Sequence, residues 1–323
     1  MRDRLRQWTA VVACMLVVLL TPGLSYGLDN VAFTWNDPRL TAPSGVTTDT
    51  DHNVYWATSS GAAATTAIYA VTPEGRTAGR VVMNVPTTAV EAIAYQGRQI
   101  FLGDIGDPTR ARKQVAVIQA TVTAVTDATV SYLVYGLTFP DGAHDAEAIL
   151  VGKDSQIHII TRGDSPGIYQ APNRLVTNRV NALTRVADAP ADITDATYLP
   201  SGRVALRSPT EVYEVDPTTW QTVATSAIPT QEKGKSLAVA LDGTVLLAAG
   251  QGAGTTVVKV DIPSSPVQPA PAPSSASSGP TAPAATASPA PSSGEGDRSG
   301  TLVALVAAAL LAVIAASYTL IRR

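Results

Sequence analysis

One strand plan recurs five times along this chain of 323 residues: two short apolar strands joined by a tight turn, then a loop and a third strand. The third strands are the easiest to recognise, and they begin at Ile68, Val115, Ile168, Val212 and Val257. They recur every 44 to 53 residues, the length of one four-stranded blade. The sequence therefore predicts an all-β fold, a β-propeller with five blades. Six blades are the alternative, which requires a repeat that the sequence does not display.

The last repeat lacks a fourth strand, because Val260 leads directly into a proline-rich segment. An additional apolar strand, residues 31–35, precedes the first repeat. We expect this N-terminal strand to close the last blade, which would remove an open sheet edge.

The N-terminal segment, residues 1–27, has the features of a secretory signal peptide. Arg2, Arg4 and Arg6 precede an apolar run, and small residues follow it at the expected cleavage site. An uncleaved anchor helix is the alternative, but the run is short and a proline and a glycine interrupt it. The chain's only cysteine lies in this segment, so the mature protein is expected to fold without disulfides.

The C-terminal segment predicts a membrane anchor on a stalk. Residues 301–321 carry no charge and would span about 31 Å as a helix. The basic residues 322–323 would remain in the cytoplasm, which predicts a single-pass type I protein of the cell membrane with an extracellular ectodomain. Residues 263–300 carry nine of the 23 prolines and predict a disordered Pro/Ala/Ser-rich stalk. A sortase-processed tail is the alternative, but no Leu-Pro-x-Thr-Gly motif precedes the apolar run.

Residues 28–262 form the predicted ectodomain, which carries a formal charge of −6 once the charges of the two terminal segments are set aside. An acidic domain without a basic stripe argues against nucleic acid as a partner and is compatible with cations. We expect a monomer whose partner is an unknown small molecule or surface protein.

Acidic residues recur where the first strand of a repeat begins. Glu91 and Glu147 each stand before an Ala-Ile pair. The comparable acidic residues of the other repeats are Asp192 or Asp195 in the fourth and Asp49 in the first, whereas the fifth has Lys235. In a propeller these positions should converge around one mouth of the central channel.

Carboxylates that converge repel one another unless a cation, protons or basic groups compensate them. Calcium, which takes six to eight oxygen ligands, is the cofactor that such a ring would suit. The candidates for ligand or metal binding are Glu91, Asp104, Asp107, His144, Asp145, Glu147, Asp192 and Asp195. The alternative is that each acid caps a strand or binds the backbone of a neighbouring blade.

The most distinctive loop is Gly103–Asp107, with the sequence Gly-Asp-Ile-Gly-Asp at a strand end. Arg110, Arg112 and Lys113 follow it and could neutralise the acids or bind an anionic ligand. The alternative is an aspartate-stabilised turn with a solvated basic flank. Among the histidines, His144 is the best candidate for a ligand or proton carrier because it lies beside Asp145.

The motifs that carry a resemblance are Glu91–Ala94, Gly103–Asp107, Asp145–Leu150 and Ile168-Tyr169. Together they resemble secreted bacterial β-propellers of the phytase-like or esterase-like type. The resemblance implies an acidic, calcium-dependent site that hydrolyses phosphate esters or other esters. The chain departs from the family pattern at Pro108 and at Lys235-Ser236.

Two functions follow as expectations. The first is a cell-surface module that binds a ligand or partner, or acts as a scaffold, through an acidic channel mouth. The alternative is a calcium-dependent hydrolase of the phytase-like type, in which the cation polarises the ester and orients water. Catalysis through serine and histidine is disfavoured, because the chain has no Gly-x-Ser-x-Gly motif.

Overall fold

The computed structural model describes residues 30–266 except 41, 230, 232 and 253, and describes only the backbone of 265 and 266. This part of the chain forms 23 strands and contains no α-helix. It therefore includes no helix that is long and apolar enough to cross a bilayer. The predicted signal peptide, the predicted transmembrane helix and nearly all of the predicted stalk lie outside the described residues.

The strands are named in chain order. The first ten are β1 Val31–Thr34, β2 Pro43–Asp49, β3 Val54–Ser59, β4 Thr66–Val71, β5 Thr77–Met83, β6 Val90–Gln96, β7 Gln99–Asp104, β8 Val115–Thr121, β9 Ala128–Thr129 and β10 Tyr132–Thr138. The next seven are β11 Asp145–Val151, β12 Ile157–Arg162, β13 Gly167–Gln170, β14 Asn181–Ala182, β15 Thr184–Asp188, β16 Asp195–Tyr198 and β17 Val204–Arg207. The last six are β18 Glu211–Val215, β19 Thr222–Ala227, β20 Gly234–Val239, β21 Leu246–Gly250, β22 Thr256–Val260 and β23 Ser265–Pro266.

Twenty of these strands form five antiparallel sheets of four strands, which are the blades. From the inside outward the blades are β2-β3-β4-β5, β6-β7-β8-β10, β11-β12-β13-β15, β16-β17-β18-β19 and β20-β21-β22-β1. The five-bladed propeller is confirmed, and the alternative of six blades is wrong for the described residues. The five innermost strands each contact the next one around the ring, including β20 with β2.

The ring closes through the N-terminal strand, as the sequence predicts. β1 pairs antiparallel with β22, and Phe33 lies opposite Val257. The fifth blade thus combines one strand from the start of the described chain with three from its end. This arrangement ties the two ends of the propeller together without a covalent bond.

Three short strands, which no pattern in the sequence predicts, extend blades at their outer edges. β9 adds to β5 and β14 adds to β10, both in parallel, and each comes from the following blade. β23 pairs with β19 and lies within the segment predicted to be the stalk. Each addition covers backbone groups that an edge strand would otherwise expose.

The hydrophobic core is divided into five clusters, one between each pair of neighbouring blades. Between blades one and two, for example, Trp56 and Ile68 pack with Ile100, and all three side chains are fully buried. Between blades five and one, Phe33 stacks on Tyr55 at 5.6 Å between ring centroids. Each blade packs on one neighbouring blade with one face and on the other neighbour with its second face. Small and apolar residues therefore dominate both faces of the inner strands.

Tight hairpins join the first and second strands of the blades. In blade two Gly97 and Arg98 both adopt positive φ, at 57° and 64°. Two consecutive residues with positive φ form the hairpin whose twist matches that of the flanking strands. These hairpins lie on the face where the inner strands end, so the opposite face is formed by the beginnings of the inner strands and by the loops between blades.

Candidate functional site

The face where the inner strands begin, here called the upper face, has a cavity of about 480 Å³ at the opening of the central channel. We call this cavity the channel mouth. It is lined by Glu91, Pro108, Asp145, Glu147, Arg162, Thr194, Pro209, Gln231, Lys233, Gly234, Lys235 and Gln251. The lining comes from four of the five blades and contains no aromatic side chain.

Five charged residues form a connected group in this mouth, here called the channel-mouth cluster: Glu91, Asp145, Glu147, Arg162 and Lys235. The ammonium group of Lys235 lies 2.8 Å from Glu91 Oε2 and also binds Glu147 Oε2. Arg162 reaches Glu147 Oε1 at 3.4 Å and Asp145 Oδ2 at 3.1 Å. Basic groups therefore compensate the converging carboxylates.

The inner strands present Glu91, Glu147 and Lys235 through β-bulges. The pairing of β6 with β7 shifts between Val90 and Ala92, so that Glu91 is the additional residue. The same shift makes Glu147 the additional residue of β11 and Lys235 that of β20. A bulge redirects one side chain relative to the alternation of the strand. Ser44 has the equivalent position in blade one.

The fourth blade departs from this pattern. Directly before its inner strand, Thr194 lines the mouth in place of an acid, and its N–H donates to the carbonyl of Arg207. Asp195 instead points towards blade five and accepts a 2.7 Å hydrogen bond from the N–H of Leu237. Asp192 is exposed and does not line the mouth. The structure therefore separates both candidate acids of this blade from the channel-mouth cluster.

Asp49 lies at the opposite end of the channel from the cluster, which corrects its expected place beside the acids of the other repeats. It is the last residue of β2, whereas Glu91 and Glu147 are near the beginnings of their strands. Its buried carboxylate accepts hydrogen bonds from Trp56 Nε1 and His52.

The Gly103–Asp107 loop supports the cluster from the side. Asp104 accepts hydrogen bonds from the backbone N–H groups of Thr88 and Ala89 at 3.1 and 2.7 Å. The N–H of Asp107 donates to Asp145 Oδ1 at 2.7 Å and so orients a carboxylate of the cluster. Gly106 is required here, because a β-carbon at this position would lie 2.8 Å from Glu91 Cγ.

The three basic residues that follow this loop have different surroundings. Arg112 binds Asp104 at 3.2 Å and the carbonyl of Gly106 at 2.8 Å. Arg110 is exposed and pairs with Asp164 at 3.1 Å. Lys113 is exposed beside a second pocket of about 350 Å³, which Arg110 and Arg112 also line. None of the three lines the channel mouth.

His144 belongs to a separate polar group on blade three. Its Nε2 lies 3.0 Å from Asp141 Oδ1 and 3.0 Å from the hydroxyl of Tyr169. Arg185 also donates to that hydroxyl, at 2.9 Å. Burial, together with the hydrogen bond to Asp141, raises the pKa of Tyr169 to about 12, so the hydroxyl is neutral at physiological pH. His144 is thus near Asp145 in sequence but outside the cluster.

The sequence motifs point neither to Arg162, which belongs to the cluster, nor to Arg207, which binds the mouth-lining Gln231. Arg207 is fully buried and its guanidinium donates to the carbonyl groups of Ser236 and Ala249 and, at 2.6 Å, to Gln231 Oε1. Burial lowers the pKa of Arg207 to about 10, with Asp195 acting in the opposite direction, so it stays charged. A signal was available, because Arg162 and Arg207 each end an apolar second strand.

The formal charges of the mouth lining sum to zero. Three carboxylates are matched by three basic side chains, which are those of Arg162, Lys233 and Lys235. Within residues 30–266, as far as the structure describes them, no group of three or more His, Cys, Asp or Glu residues is arranged to hold a metal ion. The mouth can hold a small polar molecule against fixed charges of both signs.

Fold and site together define a five-bladed propeller with a charged channel mouth. No protein-family model matches the chain, and no curated protein matches it. Among solved structures it is similar to the PQQ-bound aldose sugar dehydrogenase from Streptomyces coelicolor, with a TM-score of 0.43 and 9% identity, covering 72% of this chain and 96% of that one. It is also similar to a putative 6-phosphogluconolactonase from Bacteroides uniformis, with a TM-score of 0.38 and 16% identity, covering 68% and 67%. Neither shares enough sequence with this chain to transfer an activity.

Proposed function

We propose that this protein is a binding module of the cell surface, and that its ligand is a small polar molecule held in the channel mouth. The observation that carries the proposal is the channel-mouth cluster, in which charged side chains from three blades are fixed around an open cavity of about 480 Å³. Ligand sites are typically concave, preformed and supplied with a few fixed polar groups.

The surroundings of the cluster support binding because they hold it rigidly. Asp145 is oriented by the backbone of the Gly103–Asp107 loop, and Glu147 binds Lys235 and Arg162 at once. Side chains that are already fixed lose little conformational freedom when a ligand arrives.

The proposed place at the cell surface depends on residues 263–321, the predicted stalk and transmembrane helix. Its support is the sequence, in which the basic residues 322–323 follow the uncharged run 301–321.

The hydrolase alternative has less support from the geometry. Calcium that bridged Glu91 and Glu147 would have to displace the Lys235 ammonium group, which binds both carboxylates. The resemblance to phytase-like propellers remains its basis. Metal analysis of the protein and its melting temperature with and without calcium test it. A calcium-dependent rise in melting temperature, together with ester hydrolysis that a chelator abolishes, would favour the hydrolase.

The binding proposal is tested with the full-length protein and a panel of small organic acids, amino acids, sugars and phosphate esters. A ligand should raise the melting temperature, and calorimetry should then give its affinity. Arg162→Gln should weaken binding at least tenfold, about 1.4 kcal/mol. Arg203→Gln is the matched control, since its side chain is 40% exposed against 42% for Arg162 and it also forms a surface ion pair. If no compound stabilises the protein, or if both variants bind equally, the mouth is not a ligand site.

A further inference from the structure

We propose that Lys235 is a carbonyl-capturing amine, whose Nζ forms an imine with a small α-oxo acid while Arg162 binds the carboxylate of that acid. The inference rests on the proposed function, because it names the ligand class of the same channel mouth. It assigns the site a covalent step that binding alone does not require.

The position of Lys235 is unusual for a lysine that only stabilises a fold. Its side chain is 8% exposed, yet it lines the open cavity. Burial lowers the pKa of its ammonium group, with Glu91 acting in the opposite direction. Lysines become nucleophiles when burial favours the neutral amine, and a perturbed group in a cleft marks a candidate functional site.

Glu91 is positioned to accept the proton of Lys235. In the part of the chain that the structure describes, the only ion pair of Glu91 is with Lys235, whereas Glu147 also pairs with Arg162. A proton that moves from Lys235 to Glu91 therefore leaves Glu147 with a cation and leaves the net charge of the cluster unchanged. The transfer neutralises the buried ammonium group and the half-buried Glu91 carboxylate together. The desolvation cost that is thereby removed offsets part of the lost attraction between the two charges.

Arg162 supplies the anion site at the required separation. It contacts Oε1 of Glu147, and Lys235 contacts Oε2 of the same carboxylate. The width of one carboxylate group thus separates the two cations. In an α-oxo acid the carboxylate is bonded directly to the carbonyl carbon, so this separation suits a ligand that contacts both residues at once. The Nη2 nitrogen of Arg162 binds no described residue and is available to a carboxylate.

The step balances without a redox partner. The neutral Nζ attacks the carbonyl carbon, and the carbonyl oxygen takes the proton that Glu91 holds. Glu91 then removes one proton from nitrogen and delivers it to the hydroxyl group, which leaves as water. The product is a protonated imine and an ionised Glu91. The imine nitrogen carries the charge that the ammonium group carried, between the same two carboxylates.

The test uses full-length protein, glyoxylate as the α-oxo acid probe and cyanoborohydride, which reduces an imine to a stable carboxymethyl-lysine. Peptide mass spectrometry gives the initial labelling rate at each lysine. Lys235 should react at least tenfold faster than the exposed Lys153 and Lys259, although it is buried. This comparison is internal to the wild-type protein and does not depend on how a variant folds.

Arg162→Gln should slow the labelling of Lys235 by glyoxylate at least tenfold and leave its labelling by acetaldehyde, which has no carboxylate, within twofold. Labelling of Lys235 no faster than of the exposed lysines would overturn the inference. If in that case glyoxylate or another compound still binds reversibly and depends on Arg162, the binding function stands alone. If no compound binds either, both proposals fail.

Discussion

Lys235 of blade five and Glu147 of blade three bind each other across the central channel, although 88 residues separate them in the chain. The contact joins two blades that are not neighbours in the ring. It also compensates part of the negative charge at the opening, because the ammonium group lies between two of the three carboxylates. The cluster therefore has a role in stability as well as in the proposed binding.

Replacement of Lys235 by methionine should destabilise the fold by about 3 kcal/mol. The change leaves Glu91 and Glu147 without the cation between them, and removing one partner of a buried ion pair commonly costs 3–5 kcal/mol. Denaturation by urea at pH 7 measures the loss. Lys259→Met on the exposed side of β22 is the control and should change the free energy of unfolding by less than about 0.5 kcal/mol.

A second substitution separates charge from packing. Glu91→Gln combined with Lys235→Met removes the carboxylate that Lys235→Met leaves without a described ion pair, and should recover about 1 kcal/mol relative to Lys235→Met alone. If Lys235→Met costs no more than Lys259→Met, the ion pair contributes nothing to the fold, and its description as the compensating group is wrong.

The closure of the ring by β1 predicts a contrast within one strand. Phe33 is buried against Tyr55 and Trp35, whereas Val31 is 38% exposed. Phe33→Ala should therefore cost about 3–4 kcal/mol, and Val31→Ala less than about 0.5 kcal/mol. Thermal or urea denaturation compares the two variants. Equal effects would show that β1 does not pack in the core of the fifth blade.

Much of the fold is predictable from the sequence because period and alternation are local signals. Each third strand, and the closing strand β1, falls where the apolar pattern places it. The edge strands β9, β14 and β23 are not predictable in the same way. They are two residues long and form through contacts between blades, so no periodicity marks them.

The site is predictable only in part, for a related reason. Glu91 and Glu147 share an Ala-Ile context, and both reach the mouth because a bulge turns them inward. The sequence does not show where a bulge occurs, so Asp195 resembles them but points to blade five. In the sequence, Lys235 stands where other repeats have an acidic residue. In the structure, it binds two of those acidic residues, Glu91 and Glu147, and so joins the cluster.

His158 predicts a loss of stability in acid. Burial against Trp220 lowers the pKa of its imidazole to about 4, below the 6.5 of an unfolded histidine. The unfolded state therefore binds a proton that the folded state excludes, and stability falls by about 3 kcal/mol between pH 6.5 and pH 4. His158→Phe keeps the aromatic contact and removes this contribution. Urea denaturation should show the variant gaining about 2–3 kcal/mol on the wild type from pH 7 to pH 4.

The comparison of wild type with variant isolates His158 from the carboxylates, which titrate in both proteins. The variant should also be at least as stable as the wild type at pH 7, because Nδ1 of His158 is buried without a described hydrogen-bond partner. Parallel stability curves from pH 7 to pH 4 would contradict the assignment of a depressed pKa.

His52 predicts the opposite dependence on pH. Its Nδ1 lies 2.7 Å from Asp49 Oδ2, and this hydrogen bond raises the pKa of the imidazole above 6.5 despite partial burial. The folded state then binds the proton more tightly than the unfolded state. The resulting stability is fully present below about pH 6.5 and is lost as the pH rises through the folded pKa. His52→Gln should cost about 1 kcal/mol at pH 6 and less at pH 9, and Trp56 would still donate to Asp49 in the variant. An NMR titration of His52 in the wild type gives the pKa directly. A value below 6.5, or equal losses at both pH values, would show that the pair with Asp49 does not hold the proton.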